Sequence, residues 1–104
     1  MMDRMEKLRE FLERNPKDDF VQHALALEYI KLGQDKEAGK LFKEILDRNP
    51  GYIGSYYHYA KLLERSGEWD AASHWYALGM AAAKKAGDMH SYNELQAALD
   101  ELSD

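Results

Sequence analysis

Structurally decisive residues recur 34 positions apart through the middle of this chain. Pro16 aligns with Pro50, Ala26 with Ala60, Gly33 with Gly67 and Ala38 with Ala72. Leu25 pairs with Tyr59, Tyr29 with Leu63 and Phe42 with Tyr76. The residue types matter more than their number. A proline stops a helix, a glycine turns the chain, and two small residues sit where antiparallel helices would approach closely. A helical unit of this length cannot bury its apolar face alone, so copies must stack on one another. The chain is thereby committed to an all-α fold.

Apolar residues along the rest of the sequence keep helical spacing, and no stretch alternates as a half-buried strand would. Met5, Leu8, Phe11 and Leu12 predict a first helix ending near Asn15-Pro16. Asp18 is placed to cap a second, which carries Val21, Leu25, Ala26, Tyr29, Ile30 and Leu32 and stops at Gly33. Asp35 is assigned as the cap of a third, with Ala38, Leu41, Phe42, Ile45 and Leu46 inward, ended by Asn49-Pro50-Gly51. The fourth holds Tyr56, Tyr59, Ala60, Leu62 and Leu63 and ends at Gly67. The fifth runs from about Trp69 to Ala83, with Ala72, Trp75, Tyr76 and Gly79 inward. After Gly87-Asp88, a sixth shows Met89, Tyr92, Leu95, Leu99 and Leu102.

A length of 104 residues suits one domain, with hydrophobic residues at 45% and charged residues at 32%. The net charge of −5 lacks the basic surplus of a nucleic-acid binder. No apolar run reaches the roughly 18 residues of a membrane span, and the charged opening Met1–Lys7 is unlike a secretory signal. Cysteine is absent, which excludes disulfides and thiolate chemistry and suits a reducing compartment. The expected setting is cytoplasmic, with no nucleic-acid or membrane partner.

The chain resembles the tetratricopeptide repeat family. Gly67-Glu68-Trp69-Asp70-Ala71-Ala72 with Trp75-Tyr76, and Gly33-Gln34-Asp35-Lys36-Glu37-Ala38 with Leu41-Phe42, match the opening of that family's second helix. Leu25-Ala26 with Tyr29, and Tyr59-Ala60 with Leu63, match its first helix. The resemblance implies a right-handed α-α superhelix, a solenoid of about six antiparallel helices. Within a single domain over residues 1–104, it assigns 1–15 to an N-terminal half-repeat helix, 19–50 to a first repeat, 53–84 to a second and 88–102 to a C-terminal capping helix. Leu8 and Phe11 take core places in the half-repeat. Three positions depart from the pattern: Gln22 and Tyr56 stand where the family often has tryptophan, and Lys84 stands where a proline would end the second repeat, so the fifth helix should run on. The Ala83–Asp88 link is about two residues longer than the family's.

The same resemblance implies a function. The first helices of successive repeats line a concave groove that generally takes an extended peptide or a partner helix. On this chain the groove positions are Phe20, His23, Ala24, Leu27 and Lys31, then Gly54, Tyr57, His58, Lys61 and Arg65. Phe20, Leu27 and Tyr57 could hold an apolar or aromatic side chain, and Lys61 and Arg65 an acidic group. Co-chaperones of this family that grip chaperone C-termini use lysine and asparagine on these faces; His23, Leu27 and His58 do not repeat that pattern. A non-enzymatic interaction module is the first expectation. A structural oligomeriser, homodimeric through its end helices, is the second.

Other chemistry finds little footing. His23, His58, His74 and His90 include no pair at the three- or four-residue spacing that places two metal ligands on one helix face. Ser73 and His74 are adjacent on a helix and point apart, so they form no dyad. No glycine-rich phosphate loop is present, so no cofactor, metal or catalytic residue is expected. The repeat pattern assigns Tyr59 and Tyr76 to the core but leaves Tyr57 for the groove. Gly79 marks a close helix approach, while Gly39 lies outward, where it could meet another chain.

Overall fold

The structure is a computed structural model and describes residues 2–103. Among these there are six helices and no strand: α1 Arg4–Arg14, α2 Asp19–Lys31, α3 Asp35–Arg48, α4 Gly54–Arg65, α5 Trp69–Ala86 and α6 Met89–Ser103. They fall into two compact units that divide between Arg48 and Asn49.

In the first unit, α2 packs against α3, and α1 packs against α2. Ala26 and Ala38 are fully buried, as are Phe42 and Ile45, so small residues sit where the helices need to be close. The Asp18 side chain accepts from the Val21 amide at 3.0 Å and starts α2. Gly33, at φ +73°, ends it. The Gly33 amide donates to the Ile30 carbonyl at 2.9 Å and the Gln34 amide to the Tyr29 carbonyl at 2.8 Å, which satisfies carbonyls that the helix end leaves open. Asp35 is not the cap expected from the sequence. It is the first residue of α3, where its carboxylate complements the helix dipole instead.

Gln22, which stands where the resembled family often has tryptophan, is buried. Its amide donates to the Pro16 carbonyl at 3.2 Å and to the Glu44 carboxylate at 3.1 Å. Its carbonyl accepts from Arg48, which also reaches Asp19. A polar network fully satisfied in this way replaces the bulk of an indole.

Helix α1 is shallower than expected. No residue of α1 is fully buried, and Phe11, given a core place from sequence, is 38% exposed. Polar contacts help hold α1: Arg4 pairs with Glu28 at 3.4 Å, and Arg9 donates to the Tyr29 hydroxyl at 2.9 Å.

In the second unit α5 is central, packing against α4 on one side and α6 on the other. Gly79 lies at that crossing. A methyl group added there would come within 2.7 Å of Tyr56 Cβ and 3.0 Å of Leu95 Cδ1. Tyr56 itself is buried and donates its hydroxyl to the Pro50 carbonyl at 2.6 Å, tying α4 to the turn before it. Tyr76 is fully buried, as expected, and donates to the Glu64 carboxylate. Tyr59, expected in the core, is only half-buried, with its ring edge-on to Trp75 at 5.0 Å. Gly67 and Gly87 repeat the left-handed ending of Gly33, at φ +78° and +74°. Because the stop is Gly87 rather than a proline near Lys84, α5 continues three residues beyond Ala83, to Ala86.

Candidate functional site

On the first unit the positions of interest lie along α2. Phe20 is 72% exposed, an unusually open place for a phenyl ring. His23 is half-buried and lies edge-on to the Phe42 ring at 5.6 Å. Leu27 is half-buried, and Lys31 is exposed and paired with Glu28 at 3.0 Å. Ala24 is 8% exposed, so it offers packing rather than contact.

On the second unit the positions lie along α4. Gly54 is its first residue and is exposed. Tyr57 is 36% exposed; its ring is edge-on to Tyr76 at 6.3 Å, with the Lys61 ammonium 5.7 Å from its centroid. Lys61 also reaches Glu64 at 3.7 Å. His58 is half-buried beside Tyr57, and Arg65 is exposed.

Sequence reasoning placed this surface on α2 and α4 alone and missed α6. A cavity of about 300 Å³ lies between α4 and α6, lined by Ile53, Gly54, Tyr57, His58, Ser91, Glu94 and Leu95. Ser91 is positioned by Asp88, whose carboxylate accepts from the Ser91 amide at 3.1 Å and from its hydroxyl at 2.7 Å. These two bonds hold the Asp88 carboxyl below its ordinary range. Glu94 lies 3.6 Å from His90 on the exposed side of α6. The i, i+3 spacing of Ser91 and Glu94 puts them on one face of α6 but gives no sign that this face meets α4.

Burial pushes His58 below the usual imidazole range. Arg65 adds to the effect and Glu94 opposes it. In the unfolded chain this histidine titrates at about 6.5, above its folded value, so acidification through that point favours the unfolded state. Stability should therefore fall as pH drops from 7.5 to 5.5. Urea midpoints in wild type and His58→Gln check this: the wild type should lose more over the interval than the variant.

Among the described residues no group of three or more His, Asp or Glu side chains is placed to hold a metal ion. None of their helices is long and apolar enough to cross a membrane.

A family model described as tetratricopeptide repeat matches residues 29–99. The chain belongs to the tetratricopeptide repeat family. A solution structure of a tetratricopeptide repeat domain protein from Salinibacter ruber is 38% identical, with a TM-score of 0.80 over 84% of this chain and 88% of that one. A crystal structure of such a domain from the same organism is 37% identical, with a TM-score of 0.80 over 83% and 96%. A Bordetella parapertussis protein is 26% identical, with a TM-score of 0.85 over 99% and 90%. Among curated proteins, a tetratricopeptide repeat and J domain-containing co-chaperone from Fusarium oxysporum f. sp. lycopersici is 32% identical over 75 residues. That match takes in 72% of this chain and 14% of the relative's length. Tetratricopeptide repeat domains generally mediate protein–protein interaction.

Proposed function

We propose that this chain is a non-enzymatic protein-interaction module that contacts an extended peptide or a partner helix through the exposed face of α2 in the first unit and through that of α4 in the second. The observation that carries the reading is the cavity between α4 and α6, because Tyr57 and His58, singled out from sequence as groove positions, line it. The open Phe20 ring supports the same use of α2, since an exposed aromatic is the kind of anchor that binding sites favour. Lys61 and Arg65, toward the C-terminal end of α4, suit an acidic group on the partner. The likeness to a co-chaperone supports a protein as the partner, and the absence of cysteine suits a cytoplasmic setting.

Selection of a displayed peptide library on the purified chain tests this. Peptides enriched on wild type should be lost on the Phe20→Ala/Tyr57→Ala/Lys61→Ala variant. Tyr57→Ala alone should cost less than about 2 kcal/mol of stability, since a larger loss belongs to a core residue. Equal retention by wild type and the triple variant would move the site off these faces.

One observation favours oligomerisation as a second use. Leu8, Phe11 and Val21 leave an apolar cavity of about 370 Å³ between α1 and α2, rimmed by Arg4 and Lys7. A stable dimer by light scattering, abolished by Phe11→Glu, would support that reading; a monomer would remove it.

A further inference from the structure

We infer that the cavity between α4 and α6 is a subsite for a basic side chain of the partner, a lysine or an arginine, with Glu94 and the Tyr57 ring receiving its charge. This rests on the interaction reading above and names the chemistry of one position in it. Size is the first argument. About 300 Å³ is at the lower end of the roughly 300–1,000 Å³ typical of ligand pockets, room for one long side chain. Lining is the second. Ile53 and Leu95 offer apolar surface to an alkyl stem, and the polar groups offer electron density to a cationic head. Glu94 is the one charged residue in the lining. The Ser91 hydroxyl spends its proton on Asp88, which leaves lone pairs to accept. The Tyr57 ring offers π-electron density to a cation, part of which the Lys61 ammonium, 5.7 Å from its centroid, already engages. Burial and Arg65 favour the neutral form of His58, so it adds no full positive charge near pH 7.

The opposing terms are smaller. The cavity borders the start of α4 and the first turns of α6, and a helix N-terminus carries about half a positive charge. At α4, the Ser55 and Tyr56 amides are already bonded to the Tyr52 and Ile53 carbonyls. At α6, the Asp88 carboxylate meets the helix end. Asp88 offsets the fractional charge of the α6 end, which leaves Glu94 as a full negative charge in the lining. Lys61 lies one turn beyond Tyr57 and is engaged with Glu64. Arg65 lies about two turns beyond His58. The α4 face therefore changes preference along its length, base at its start and acid at its end.

The test is an amide-resolved NMR titration with blocked pentapeptides, Ala-Ala-Xaa-Ala-Ala, where Xaa is arginine, lysine, glutamate or leucine. The proteins are wild type and Glu94→Gln. Glu94 is exposed, so the variant should fold, and an otherwise unchanged amide spectrum verifies it. The arginine and lysine peptides should move the Tyr57, His58, Ser91 and Glu94 amides. Their affinity should drop about three- to fivefold in Glu94→Gln, the scale of a solvent-accessible charge pair. Equal shifts of these amides by the leucine or glutamate peptide would overturn the charge assignment and leave the α4 surface as a docking site. So would an arginine affinity indifferent to Glu94→Gln. Shifts confined to α2 amides would overturn the subsite and leave the interaction reading standing; shifts confined to amides outside α2, α4 and α6, or none with any peptide, would overturn both.

Discussion

Phe42→Ala should unfold this protein more readily than any surface change, at a cost of about 3 to 5 kcal/mol. Phe42 is fully buried on α3, the helix that packs against α2, and the His23 ring meets it edge-on at 5.6 Å. Truncation removes both the transfer free energy of a phenyl ring and the contacts of everything around it, and a packed interior closes such a hole only in part. A small domain has about 5 to 15 kcal/mol in total, so the variant should lose a large share of its margin. Phe42→Leu nearly keeps the volume and should cost below about 1.5 kcal/mol. Urea unfolding of the three proteins separates the terms. An alanine loss no larger than the leucine loss would mean that the site collapses freely and that Phe42 is not a keystone of its unit.

Gly79→Val should have the second-largest effect, from too much volume rather than too little. Glycine inside a helix normally costs about 1 kcal/mol relative to alanine, so filling it in an open site stabilises. Here the site is closed. Even a single methyl would approach Tyr56 Cβ to 2.7 Å and Cγ to 2.9 Å, and these atoms sit close to the α4 backbone and cannot swing aside. Alanine should regain propensity and lose packing, for a modest net loss. Valine regains nothing and adds two further methyls, so about 3 kcal/mol is expected. Thermal melting by circular dichroism, with alanine as the intermediate step, gives the ordering. A valine variant as stable as wild type would show that α4 and α6 can move away from α5 at no cost.

Much of this architecture was legible because its decisive steps are local. A glycine in the left-handed region and an aspartate ahead of a helix act within a few residues. Gly33, Gly67, Gly87 and Asp18 were therefore readable where they stand. Gly79 was readable as a close approach because the repeat family prefers a small residue at that place. What failed depended on neighbours. Periodicity gives the side of α1 that faces inward but not the depth of what it faces, so Phe11 was placed too deep. Asp35 has the chemistry of a cap but falls one residue inside the helix, a difference that composition does not register. Groove positions on α4 followed from the repeat. Ser91 and Glu94 join Tyr57 and His58 only through the return of the chain by way of α5, which no spacing along the sequence records.

The main packing in each unit joins helices that follow one another directly in the chain: α1 with α2 and α2 with α3, then α4 with α5 and α5 with α6. Each contact then requires only a short loop to close, so little entropy is lost before the contact forms. Such low contact order places folding in the microsecond-to-millisecond range. It also makes opening a local affair. A helix pair can release without its whole unit, and amide exchange should report a ladder of protection instead of one global event.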